Sequence, residues 1–544
     1  MGRWRLSWGL LLMLSMTSAM AQEPFYSVIL EGGQVYDGTG RPPFVADVGW
    51  IGDRIAAIGD LKQAKAALRL NVRGLAVTPG FIDIHSHAVA ARPEQSGVFR
   101  RPLAENYIRQ GVTTILGGAD GFSPLPIGAF LARYDVLPAA VNLGLFVGHN
   151  SVRRAVMGNA NRAPTPEELA QMQALVAQAM EEGAWGLSAG LRYVPGAYAQ
   201  TEEVIALARV AARYGGIYIP HMRDEGRQVL ESLEETFRIG REGGLPVQIT
   251  HAKVSGRPMW GKSTEFLARV EAALQQGLDV SMDQYPYTAG STQIGVLLPE
   301  WALAGDSAAV QARLQDPETR QRIHAAVVQN LIEDLGGGDP HRVVLAFCRW
   351  DTTLNGKSLA QVLQEQGRPV TFEEAAELVL EIQEQGGCLG IFHVMHEEDV
   401  VRILQHPRTM ICSDGGIPDP GVGVPHPRNY GAFARVLAHY VREQQLLTPE
   451  EAIYKMSGLP AWRLGLQDRG VLRVGAYADV VVLDLARIQD RATYEQPHQY
   501  AEGVVHVFVN GQAVLLDGQM TGLRPGRALR KPRPAGAQTT PTQE

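Results

Sequence analysis

Cysteine is scarce, with Cys348, Cys388 and Cys412 the only three in 544 residues. So small and odd a number gives no disulfide framework, and all three are expected to be buried thiols. Charge shows no useful excess either. A net charge of -7 and a pI near 6.1 provide no basic face for nucleic acid. Long apolar runs are missing apart from one at the N-terminus. There a basic "MGRWR" leads into "LSWGLLLMLSM", too short to span a bilayer, and "AMA" before Gln22 has the A-x-A cleavage pattern. Residues 1–21 are therefore expected to be a cleaved export signal, leaving a periplasmic or secreted chain with no membrane attachment. No particular oligomeric state is implied. No glycine-rich nucleotide fingerprint follows the first strand of the central region. A serine or cysteine nucleophile is not expected: no G-x-S-x-G elbow is read, and the cysteines lack an obvious histidine partner.

What is present is an ordinary globular composition, 45% hydrophobic and 20% charged. "YSVILEGGQVYDGTG" and "ADVGWIGDRIAAIGD" near the start read as short strands joined by Gly/Asp turns, and "GAYADVVVLDL" and "VVHVFVNGQAVLLDG" near the end match them. Both ends together are expected to build one small β-sandwich, from residues 22–79 and 466–530, followed by a Pro-rich, disordered tail at 531–544. Between them the pattern alternates. "TPEELAQMQALVAQAMEEG" opens on a capping box at Thr165 and Glu168 and stops at Gly183. "TEEVIALARVAARYGG" and "VLESLEETFRIGREGG" end in Gly-Gly, and "IYIPH" and "LPVQITH" follow as strands. Helix, glycine stop and strand, repeated, is the pattern of parallel βα units. The expected class is α/β, a (β/α)8 TIM-like barrel over 80–465. "VVLAFC" and "LGIFHV" exceed the eight strands required and suggest an insertion at about 287–387.

The chemistry starts at "VTPGFIDIHSHAVA". In a strand, residues two apart share a face, so His85 and His87 project together. Paired neutral imidazoles suit a divalent metal, zinc above all. His221 ends "IYIPH", His251 ends "VQITH", and Asp414 lies in "TMICSDGG". The strand C-termini form the active face of a barrel, so these five side chains are expected to converge on one mouth. His149 in "VGHNS" is also at a strand end and is expected beside the ligands or on a substrate loop.

"PGFIDIHSH" followed by two strand-end histidines and a strand-end aspartate resembles the amidohydrolase superfamily. "EGAWGLSAGLRYVPGAYAQTEEVIALAR", "HMRDEG", "DQYPYTAGST", "HPRNYGAF" and "ADVVVLDLARIQDRATYEQPHQYAEG" are similar to the D-aminoacylase (N-acyl-D-amino-acid deacylase) family over nearly the whole mature chain. The resemblance implies a metal-bearing barrel with a small β-sandwich and an insertion after the seventh strand. It implies one metal position on His85 and His87, and a tighter one on His221 and His251. The family's bridging cysteine, in a stretch like "GNCGFS", is replaced here by Asp120 in "GADGFS". A carboxylate can bridge two ions but is a harder donor than thiolate, so one or two zinc ions, or another divalent metal, are implied.

The implied reaction is hydrolysis of a small-molecule N-acyl-D-amino acid, with Asp414 as general base and acid. Lys253, Tyr285, Ser291 and Arg428 are implied to bind the substrate carboxylate. A dipeptidase or cyclic-amide hydrolase is the alternative enzyme, disfavoured because "GLSAG", the fourth strand, offers no bridging lysine. A metal-impaired binding protein would follow if Asp120 abolished the site.

Overall fold

The computed structural model describes residues 24–532. The expected signal at 1–21 and nearly all of the 531–544 tail lie outside them. Eight parallel strands form the barrel: Phe81–Asp83, Val112–Gly117, Asn142–Leu145 continued by Val147–Gly148, Gly186–Gly190, Ile217–His221, Val247–Ile249, Val280–Gln284 and Thr409–Ile411. Every residue in them is buried, as strands covered on both faces require. The third strand breaks at Phe146, its first half pairing with the second strand and its second half with the fourth. The barrel closes where Asp414 N donates to His85 O (3.1 Å) and His87 N to Gly415 O (2.6 Å).

Helices pack outside the strands. In the Pro166–Glu181 helix the Thr165 hydroxyl accepts from Glu168 N, and Glu168 in return accepts from Thr165 N. The Val229–Gly243 helix ends at Gly244 in the left-handed conformation, the geometry that a glycine stop supplies.

Strands from both chain ends join one nine-stranded sheet. Its centre is Ala76–Pro79, which runs parallel to Phe25–Val35 and antiparallel to Val480–Leu483. Val35, Val48, Trp50, Val480 and Phe508 share its separate apolar core. After Pro79 the chain passes straight into the first barrel strand, so this sheet fixes the approach to His85 and His87. Residues 526–531 leave the sheet and run along the barrel, with Leu143 N donating to Arg527 O and Leu529 N to Leu143 O.

The insertion follows the seventh strand. Val343–Phe347 and Leu389–Phe392, the two surplus strands, pair antiparallel there, the second lying past the expected bound at 387, with Gly290–Gln293 on the other side of Leu389–Phe392. Here the expectation of three thiols fails. Cys348 and Cys388 form a disulfide that ties the end of one insertion strand to the start of the next, and only Cys412 is a buried free thiol. Residues 40 apart in sequence carry no local signal of pairing; the sheet register brings them together.

Candidate metal centre

The histidines and aspartates meet at the C-terminal mouth of the barrel. His85 and His87 lie just past the first strand, and their Nε2 atoms are 3.3 Å apart. His221 ends the fifth strand, and His251 follows the sixth; His221 Nδ1 is 2.9 Å from His251 Nε2. Asp120 sits between the two pairs. Its Oδ2 is 3.4 Å from His87 Nε2, while Oδ1 is 3.6 Å from His85 Nε2, 3.3 Å from His251 Nε2 and 3.9 Å from His221 Nδ1. Two groups able to hold a cation result, His85–His87–Asp120–Asp414 and Asp120–His221–His251, sharing one carboxylate.

Three of these residues, Asp120, His251 and Asp414, have positive φ angles of 51°, 33° and 49°. Such backbone is costly for a residue with a Cβ and is retained where the surroundings enforce it. Around Asp120 two glycines make the turn feasible. A Cβ at Gly118 would lie 2.3 Å from Phe146 O, and one at Gly121 would lie 2.1 Å from Asn150 Oδ1.

The donor set fits a divalent ion. Asp120 Oδ1 is buried without a hydrogen-bond partner while several imidazole nitrogens face it, a donor set suited to sharing a cation. Protons are held on the outer side of the cluster. Thr250 Oγ1 donates to Asp283 Oδ1 (3.1 Å) and so accepts from His85 Nδ1, turning His85 Nε2 toward the mouth. Burial would raise the Asp120 carboxyl, but His85 and His251 hold it well below the usual range. Burial likewise opposes ionisation of Asp414, and Arg428 and His85 keep it well below its ordinary value.

Asp414 Oδ2 accepts from Arg428 Nη1 (2.7 Å), and Oδ1 faces His87 Nε2 at 2.9 Å. Arg428, expected on the substrate carboxylate, has Nη1 engaged by Asp414, and its Nη2 donates to Ser291 O. Lys253 does not continue the sixth strand, which ends at Ile249. A loop brings it back to the mouth, where Nζ donates to both oxygens of Glu225 at 2.8 and 2.9 Å. The Tyr285 hydroxyl is buried and unpartnered, its ring 4.8 Å below the Arg428 guanidinium. Ser291 Oγ donates to Gly390 O. His87, Asp120, Asp414, Arg428 and Ser291 open onto a cavity of about 1130 Å³. A smaller pocket beneath it holds Lys253, Tyr285, His221 and His251.

Several residues depart from the sequence pattern or carry no signal in it. His149 is buried against Glu203 (2.8 Å), away from the cluster. Gly186–Gly190 does spell G-x-S-x-G, but Ser188 is buried inside the fourth strand with its hydroxyl on Gly118 O or Val147 O, so no elbow exists. Asp83, the last residue of the first strand, is a clamp: its carboxylate accepts from His85 N and from Ser413 N and Oγ. Glu225 is missed by sequence reasoning, although it stands four residues after the strand-end His221 inside "HMRDEG". Asp283, which accepts from Gln248, Thr250 and His251 N, is missed as well.

The Amidohydrolase family profile matches residues 70–336 and 347–515. A D-aminoacylase of Alcaligenes xylosoxydans xylosoxydans is 40% identical over 530 residues, covering 93% of this chain and 98% of that protein. An N-acyl-D-glutamate deacylase of the same organism is 36% identical, covering 93% and 96%. Among solved structures, a D-aminoacylase described as defining a novel subset of amidohydrolases superposes with a TM-score of 0.79 at 38% identity, over 93% of this chain and all of that one. The Bordetella bronchiseptica N-acyl-D-glutamate deacylase, complexed with zinc and a phosphonate mimic of the tetrahedral intermediate, gives 0.79 at 32% identity with the same coverage. With end-to-end likeness and two histidine pairs meeting on one carboxylate at a barrel mouth, this chain belongs to the amidohydrolase family, in its D-aminoacylase branch.

Proposed function

We propose that this protein is a zinc-dependent amidohydrolase that cleaves the amide bond of N-acyl-D-amino acids to a carboxylate and a free D-amino acid. The observation that carries it is Asp120 standing between two histidine pairs, within reach of the Asp414–Arg428 pair, on a cavity large enough for such a substrate. His85, His87, Asp120, His221 and His251 would hold the metal. Zinc, when bound, lowers the pKa of water toward neutrality and polarises a carbonyl.

Asp414 takes the proton as the water oxygen bonds to the acyl carbon, and returns it to the nitrogen as the C–N bond breaks. Arg428 supports this role by occupying Oδ2, so that Oδ1 is the oxygen turned to the reacting side. The buried, unpartnered Tyr285 hydroxyl and the Lys253 ammonium, beside it in the inner pocket, bind and orient the substrate carboxylate. Ser291 lines the same pocket.

Export to an oxidising compartment is the second part of the proposal. The A-x-A pattern before Gln22 and the Cys348–Cys388 disulfide support it together, since disulfides persist outside the cytoplasm. Fractionation should place the chain outside the cytoplasm, with one titratable thiol after unfolding. Recovery in the cytosol with three free thiols would refute export. The activity is tested by assaying the purified chain on paired N-acetyl-D- and N-acetyl-L-amino acids. Turnover of the D-series is expected, and none of either would overturn the assignment.

A further inference from the structure

Among the described residues, Glu225 is the one carboxylate that touches both histidines of the Asp120–His221–His251 group and the neighbouring lysine. Its Oε1 lies 3.0 Å from His251 Nδ1, its Oε2 lies 3.6 Å from His221 Nε2, and both oxygens accept from Lys253 Nζ. The two imidazoles present different nitrogens to the mouth: Nδ1 from His221 and Nε2 from His251. Glu225 stands behind the opposite nitrogen of each. Lys253 Nζ and His251 Nδ1 are 2.6 Å apart. Lys253 can only donate, so at that distance it competes with a proton on His251 Nδ1; a metal on Nε2 requires that proton, and Glu225 Oε1, 3.0 Å away, is placed to accept it while it binds Lys253. A buried lysine ammonium beside a cation site would otherwise oppose the cation by direct repulsion.

We propose that Glu225 is a positioning residue for the metal: it accepts the proton that His251 must carry on its outer nitrogen in order to ligate, sets its charge behind His221, and neutralises Lys253 beside them. The inference rests on the metal-dependent reading above. One carboxylate thereby couples the metal pocket to the lysine that faces the substrate. Removal of groups that orient ligating histidines costs about 10–100-fold in metal affinity.

The test is zinc affinity of the full-length apo-protein, measured without substrate by competition with a chromogenic chelator. Wild type, Glu225→Gln, Lys253→Met and the double variant are compared. Glu225→Gln is expected to weaken the tighter zinc site by about 10–100-fold, whereas Lys253→Met leaves it no weaker than wild type. The double variant, which has no unpaired lysine, should remain weaker than Lys253→Met alone. Should Glu225→Gln fail to fold, the double variant set against Lys253→Met decides the same question. Glu225→Asp, which keeps a carboxylate, should recover part of the loss. Wild-type affinity in Glu225→Gln, or full recovery in the double variant, overturns the orienting role. A wild-type chain that binds no zinc overturns the metal-dependent reading itself, which separates the two failures.

Discussion

The two histidine pairs that share Asp120 are built differently. His85 and His87 come from one short stretch of chain, and the His87 side chain is 41% exposed to the cavity. His221 and His251 come from two strands, and the His251 side chain is 2% exposed, backed by Glu225 and Lys253. His87 opens the first half beside Asp414, although His85 is fully buried, and both members of the second half are buried with Glu225 and Lys253 walled in behind them. Binding needs a ligand set held rigidly, while turnover needs a face that water and substrate can reach. Division of the two tasks between the halves accounts for the proposed general base standing with the pair that His87 opens and the proposed positioning carboxylate with the sealed one.

Removal of metal should erase both halves at once. Chelation followed by desalting is expected to abolish deacylase activity, with zinc restoring it; a metal-free preparation of full activity would break the assignment. The next largest effect should come from the open half alone. Asp414→Asn is expected to lower kcat by about 10²–10⁴-fold while zinc content at the sealed pair stays intact. Near wild-type turnover in that variant would remove Asp414 from proton transfer.

Asp120 joins the halves, so its loss should be felt in both. Asp120→Ala is expected to cost at least about 10–100-fold in metal affinity, with rate falling in parallel, whereas Asp120→Cys should retain metal. Unchanged stoichiometry in Asp120→Ala would mean that the pairs act independently. The smallest effect concerns the sealed half and the substrate. Lys253→Met should reduce kcat/KM for N-acyl-D-amino acids by about one to two powers of ten, as expected for a charge-assisted contact of about 1.5–3 kcal/mol. The matching carboxamides, already poor substrates, should hardly change. An equal fall for both series would show that Lys253 serves Glu225 and not the substrate carboxylate.

Legibility in the sequence follows the range of the interactions. Repeated helix, glycine stop and strand are local patterns, so the barrel can be read directly, and a histidine or aspartate at a strand end can be assigned to the mouth from its neighbours, except where, as at His149, a buried partner turns it away. The surplus strands are legible as strands, and their place in an insertion follows from counting. Glu225 is not legible, because a glutamate in a loop carries no periodic signal and its importance lies in where that loop folds back. Arg428 reaches the mouth in the reading only through the family resemblance, and its partner is not legible at all; only the approach of the Arg428–Arg435 helix to the eighth strand brings it onto Asp414.

By itself, then, the sequence determined that His85, His87, His221, His251 and Asp414 reach the barrel mouth, since the strand period and the end of each strand are properties of a few adjacent residues. Tertiary structure alone decided how those side chains are shared. Asp120 between two pairs, Glu225 behind two imidazoles, Arg428 on Asp414 and Cys348 on Cys388 all depend on distances across the fold. Those distances are set by strand register and by the packing of loops from separate βα units, to which no single stretch of chain has access.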